Sequence, residues 1–274
     1  MTLLTFAKAM LGDQLAKYGF EHRRNTTWVK VSEEGIYFTV GFKKEKVLED
    51  YLVGIYFNMQ PIFSKLNNTE YEIFYCYRFI TNAEYIPPNI PDSGFCDLLY
   101  LVEETDTRYE SMLELGRKMF STVIEPILAN VHDMGSCFAA NFELNYYCYR
   151  FMRSNEIDPC YHSTYNMIYT NNTFPMVLCL CKAKRYADAL RLLNNCGGMS
   201  SICLNERSGT FIDFFEETTR VDAAKAWYIK MIEEGNYSEI EKTMEYWYEN
   251  NCQELKTKYG LSVKYLFEHE YCCQ

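Results

Sequence analysis

Ile36-Tyr37-Phe38-Thr39-Val40-Gly41-Phe42-Lys43, followed by Tyr51-Leu52-Val53-Gly54-Ile55-Tyr56-Phe57-Asn58-Met59, decides the fold. In the first stretch Ile36, Phe38, Val40 and Phe42 alternate with Tyr37, Thr39, Gly41 and Lys43. In the second, Val53, Ile55, Phe57 and Met59 alternate with Leu52, Gly54, Tyr56 and Asn58. Side chains of a strand point alternately to its two faces, so period two with one apolar set predicts two β-strands. Tyr37 and Tyr56 then lie on the face opposite Phe38 and Ile55.

Working outward, Trp28 to Val31 reads as a shorter strand, joined to the first by a turn at Glu33-Glu34-Gly35. Before it, Leu4, Ala7, Leu11, Leu15 and Tyr18 recur at helical spacing, and Gly19 stands where a left-handed cap is expected. After it, Glu70 to Ile80 reads as a fourth strand, apolar or aromatic on both faces, and Cys96 to Val102 as a last short one. Turns as short as Asn67-Asn68 favour antiparallel neighbours. Residues 87–94 form a loop on composition. Thr107 and Glu110 have the spacing of a capping box, opening a helix that Pro126 should kink or end.

Beyond residue 135 the pattern is helical. Thr173–Lys182 and Arg185–Asn194 predict a helical hairpin, and Asp222–Glu234 a helix ended by Gly235. Ser238 to Glu241 reads as a second capping box, opening a helix with Ile240, Met244, Trp247 and Leu255 inward. The expected class is α+β: an antiparallel sheet of four to five strands flanked by helices, then a mostly helical half. The division is 2–134 for the sheet unit and 135–274 for the helical region packed on it. Tyr75-Cys76-Tyr77-Arg78-Phe79 recurs at Tyr147-Cys148-Tyr149-Arg150-Phe151. Two copies fall short of the three that a repeat architecture needs, so the match reads as coincidence.

The 274 residues carry a formal charge of −10, with net −6 before residue 141 and −4 after it. The longest basic runs are pairs, Arg23-Arg24 and Lys43-Lys44, so no nucleic-acid partner is expected. No apolar run reaches the roughly 18–20 residues that span a bilayer, so no membrane partner is expected either. The start, Met1 to Lys8, lacks the form of a secretory signal. A cytoplasmic address follows as the expectation, with the twelve cysteines as reduced, small apolar side chains.

Phosphate loops, nucleophile elbows and paired zinc-ligand motifs are missing. The expectation is therefore no catalytic residue, no metal and no cofactor. Cys160-Tyr161-His162 and His132-Asp133 beside Cys137 are the nearest approaches to a nucleophile–base pair. They define the alternative, a hydrolase-type enzyme with a Cys/His site at Cys160, His162 and His132 between sheet and helices. Adjacency in sequence does not place an imidazole on a thiol, and the pairs read as structural. Cys179-Leu180-Cys181 and Cys272-Cys273 read as structural thiols, and Glu103-Glu104 with Asp106 as a solvated acidic corner.

Aromatic residues make up 16% of the chain, 24 of them tyrosines, which core filling absorbs least well. Tyr37 and Tyr56, joined by either Tyr75 and Tyr77 or Phe74 and Arg78 from the next segment, give the second sheet face a protein-binding composition. The competing expectation is that the later helices cover this face as a second core. The functional expectation is a protein-interaction module of immunity or adaptor type, with an acidic, Tyr-rich surface suited to a basic partner.

Leu11 and Leu15 to Phe20, Thr26-Thr27-Trp28 and Gly35 to Phe42 together resemble the start of the bacterial domain-of-unknown-function family 4304. The resemblance covers about residues 2–145, with Val123 to Leu128 similar to that family's closing helix. It implies a helix, a small antiparallel sheet and a helix, and it brings no activity or site residues. Lys43 departs from the family, which often has a polar amide there, and the second half has no counterpart in it.

Overall fold

A computed structural model describes residues 1–47, 49–64, 71–81, 98–153, 173–195 and 221–263. The chain opens with helix α1, Leu3–Lys17, capped by the Thr2 hydroxyl, which accepts from the Thr5 amide. Phe6, Ala7, Met10, Leu11 and Leu15 form its buried stripe. It stops as expected at Gly19, whose φ of 79° is the left-handed region that only glycine enters without cost. The amides of Gly19 and Phe20 turn back onto the carbonyls of Ala16 and Leu15.

An antiparallel sheet follows in sequence order: β1 Glu21–Arg24, β2 Thr27–Val31, β3 Ile36–Val47, β4 Asp50–Pro61 and β5 Tyr71–Glu72. β3 and β4 each have 12 residues, about 40 Å at a strand's rise. Their register sets Phe38 against Met59, Val40 against Phe57 and Phe42 against Ile55 on one face. The other face sets Tyr37 against Gln60, Thr39 against Asn58 and Gly41 against Tyr56. That is the alternation expected from sequence. α1 packs toward β3, and the Phe20 ring meets Phe38 edge-on at 6.5 Å, as Phe6 meets Tyr109 at 6.2 Å.

The expected fourth strand, Glu70 to Ile80, is corrected. Only Tyr71 and Glu72 pair with β4; Ile73–Ile80 is helix α2. Among its described side chains Ile73, Cys76 and Tyr77 are buried, Cys76 and Tyr77 lying three and four residues after Ile73. Eight almost uniformly apolar residues carry no period to choose by, so packing decides. In place of a strand at Cys96 to Val102, a single bridge joins Tyr100 to Leu52, and residues up to 97 lie outside the described part.

The next helical run is α3, Tyr109–Met119, a π turn at Phe120–Ile124, and α4, Glu125–Asn130. Thr107 does not cap it: Asp106 does the local work, accepting from the Arg108 amide at 2.8 Å and from its guanidinium. Pro126 does not stop it either. The Glu125 amide bonds the Phe120 carbonyl one residue further back than in an α-helix, and this wider turn accommodates the proline ring. Helix α5, Met134–Arg153, packs against α2. Both copies of the Tyr-Cys-Tyr-Arg-Phe pentapeptide therefore lie on helices of one packed pair.

The helical hairpin expected beyond residue 172 is present as α6, Thr173–Lys182, and α7, Tyr186–Asn195. Helix α8, Val221–Glu233, leads to α9, Tyr237–Tyr259, which buries Ile240, Met244, Trp247 and Leu255 as expected. Its second capping box is corrected: Asn236 is the cap residue, and the Ser238 hydroxyl turns to the Asn236 carboxamide. The whole is α+β, and the buried side chains of both halves form one continuous core.

Candidate functional site: the two ends of the long hairpin

The sheet face carrying Tyr37 was the sequence's candidate, and it divides along its length. At the end near Ile36 and Pro61 it is closed. Tyr37 is 6% exposed, Asn58 2% and Gln60 0%. α1 lies toward β3, while α2, α5 and α6 contact β4. The Asn251 carboxamide of α9 donates to the carbonyls of Ile62 and Ser64 at 2.5–2.6 Å, tying the last helix to the end of β4. Beside it, the Tyr71 hydroxyl donates to Asn141 of α5, whose amide donates to the Cys137 carbonyl. Buried polar groups hold one conformation when paired this way and are costly when not.

Past Phe42 the β3 limb leaves the core, while Val53 opposite Lys44 is still buried. Lys43 to Lys46, Asp50 and Tyr51 are exposed, and Tyr56 is half-buried. The Tyr56 ring lies across Gly54, where a Cβ would come within 2.6 Å of it, and opposite Gly41. The two glycines thus supply the flat floor that the ring needs. The Lys43 ammonium sits 4.3 Å from the centre of that ring. On the opposite face the Lys44 ammonium sits 4.7 Å from the Tyr51 ring. An ammonium over an aromatic face is attracted by the ring's quadrupole.

The edges of this arm differ. The β4 edge is occupied: the Val53 amide donates to the Leu99 carbonyl and the Leu101 amide to that of Tyr51. There the Asp50 carboxylate raises the Tyr100 hydroxyl pKa, second to burial, and Arg108 opposes it. On the β3 edge, β2 pairs only as far as Gly41, and Thr26 closes the pairing: its carbonyl accepts from the Phe42 amide and its hydroxyl donates to the Phe42 carbonyl. Among the described residues no strand pairs with β3 beyond that point except β4.

The expected binding residues are therefore scattered. Tyr37 and Tyr77 are buried, 6% and 5% exposed, which corrects the expectation of an open aromatic face at those two positions. Tyr56 remains partly open. Tyr75 and Arg78 lie on α2, with side chains outside the described set. Lys44, Lys46 and Tyr51 were missed. Their signal was present: Lys43-Lys44-Glu45-Lys46 continues the alternation of β3 after its apolar set has ended.

The chemical candidates come apart. Cys160 and His162 lie outside the described residues. His132 is exposed, while the Cys137 thiol is 0% exposed. Asp133 caps α5, accepting from the Ser136 amide at 2.7 Å, and these hydrogen bonds hold its carboxyl below the usual range. Cys179 bonds the Cys137 thiol, and burial pushes its pKa well up; burial alone pushes Cys181 up to about 12. Such thiols stay protonated and are poor nucleophiles. At the acidic corner the N-terminal ammonium pairs with Glu103, and Arg108 with Asp106. No cluster of three metal-ligating side chains occurs among the described residues, nor a helix long and apolar enough to cross a membrane. No family of known proteins, curated protein or solved structure matches this chain.

Proposed function

We propose that the protein is an interaction module, of adaptor or immunity type, that holds a partner protein with the arm of the β3–β4 hairpin. The observation that carries this reading is the exposure of Tyr51, 38%, on the hairpin, where every other described aromatic side chain is buried or half-buried. Among the described residues only Ile80 is a comparably exposed large apolar side chain. An aromatic ring held in place by a lysine loses little freedom when a partner covers it, which is what an anchor residue needs.

A photo-crosslinking amino acid at position 51 or 56 tests the reading in the cells that make the protein. Capture of one discrete adduct from both positions, with none from exposed Lys118 on α3, is the expected result. Equal capture from all three positions, or none from the arm, removes the reading.

A further inference from the structure

The backbone of the arm says more about its occupant than the side chains do. Alternate residues of an antiparallel strand direct both their amide and carbonyl to the same side. The Phe42 amide and the Ile36 carbonyl both bond toward β2. By that alternation Lys44 and Lys46 also direct their amides and carbonyls to the β2 side, where β2 has already ended. Among the described residues nothing pairs there, which leaves a stub of sheet edge about 13 Å long from Lys43 to Val47 at a strand's rise. A strand added there would run in line with β2 and meet the β1–β2 turn at Arg24 and Asn25.

Charge selects among possible strands. The open edge carries Lys43, Lys44 and Lys46 against a single Glu45, in a chain whose total is −10. The acidic groups nearest in sequence, Glu49 and Asp50, begin the other limb, and Asp50 acts on Tyr100 and Arg108 on the occupied edge. Lysines on an edge strand disfavour pairing with a copy of the same strand, because like charges then face each other. They favour an acidic one, opposite in sign to the basic partner that the chain's net charge suggests.

Resting on the reading of the arm as a docking surface, we propose that its occupant is an acidic, extended segment of a partner protein, added as a strand beside Lys44 and Lys46. Backbone hydrogen bonds supply the pairing. Carboxylates at alternate positions meet Lys44 and Lys46 on the face shared with Tyr51. The short edge makes this a weak contact that salt weakens further.

The test is a titration of the full-length, 15N-labelled protein with three short peptides: alternating Thr-Glu, alternating Thr-Lys, and Thr-Glu with alternate backbone amides N-methylated. The expected result is saturable movement of the Lys44 and Lys46 amide signals with the Thr-Glu peptide only. Raising the salt should weaken it, and Lys44→Glu with Lys46→Glu should weaken it at least tenfold. The milder Lys44→Gln with Lys46→Gln should give an intermediate loss. Unchanged signals elsewhere show that both pairs of variants stay folded. Silence of the wild-type protein at millimolar Thr-Glu peptide overturns the proposal, as does equal binding of the Thr-Lys peptide. Equal binding of the N-methylated peptide reduces the site to charge alone and overturns the added strand. A dimer in sedimentation whose edge amides are already protected assigns the edge to a second copy, again against the proposal. If the peptides fail while crosslinks from positions 51 and 56 persist, the docking surface stands and only its acidic strand falls.

Discussion

At one end of the long hairpin Tyr37 and Gln60 face each other inside the molecule; at the other, Lys46 faces Tyr51 in solvent. The backbone, register and alternation are the same at both ends. The difference lies wholly in what is laid over the strands. Helices and the Asn251 tie cover the first end, and nothing among the described residues covers both faces of the second. A strand pattern therefore states which side chains share a face, while coverage is a property of neighbours far away in sequence.

If the closed end is a true core, Phe57→Ala should be the most damaging change along the hairpin. Its ring is 0% exposed and lies 6.3 Å from that of Phe38. A loss of about 3–5 kcal/mol is expected for such a truncation. Chemical denaturation measures it, and a loss below about 1 kcal/mol would break the contrast between the two ends.

Asn251→Ala comes next. It removes both donors that α9 offers to the carbonyls of Ile62 and Ser64. Leaving a buried acceptor unsatisfied costs about 1–3 kcal/mol. Hydrogen exchange should then rise at the Pro61 end of the hairpin and stay unchanged at Lys44. A uniform rise along the hairpin would show that the two ends are one cooperative unit.

Asp133→Ala tests the covering helices from their own side. Loss of the cap on α5 should cost about 1 kcal/mol. The sign with pH follows from the lowered carboxyl pKa. The contribution is complete above the carboxylate's unfolded pKa of about 4, and is lost as pH falls through the lower folded value. Stability of wild type and variant should therefore converge in acid. A difference independent of pH would place the effect elsewhere.

The smallest effect belongs to the arm. Tyr51→Ala should leave stability within about 0.5 kcal/mol, as for an ordinary surface change. The same substitution should abolish the crosslinked adduct read from position 56. A variant that unfolds readily would mean the ring is part of the core after all.

Much of the sheet was legible because its physics is local. Period two in Ile36–Phe42 and Val53–Met59, the glycine after α1 and the helical stripes of α6 to α9 each depend on residues a few positions apart. The misread Ile73–Ile80 lacks such a period, being apolar on every side, so its conformation waited for α5 to pack against it. Near the starts of α3 and α9 the polar side chains settle on partners that spacing does not name, Asp106 on the Arg108 amide and Ser238 on the Asn236 carboxamide.

The candidate site was half legible. Alternation alone placed Tyr37 and Tyr56 together on the face opposite Phe38, and the structure keeps them there. Burial of Tyr37, release of Tyr56 and the open edge at Lys44 and Lys46 were decided only by the tertiary structure. Coverage depends on where Asn141 and Asn251 arrive, 70 and 189 residues after Tyr71 and Ile62, the residues they bond. Sequence carries what each residue prefers and what its near neighbours allow. Which preferences are met by protein and which are left to water follows from the packing of distant segments, and there the tyrosines of this chain part company.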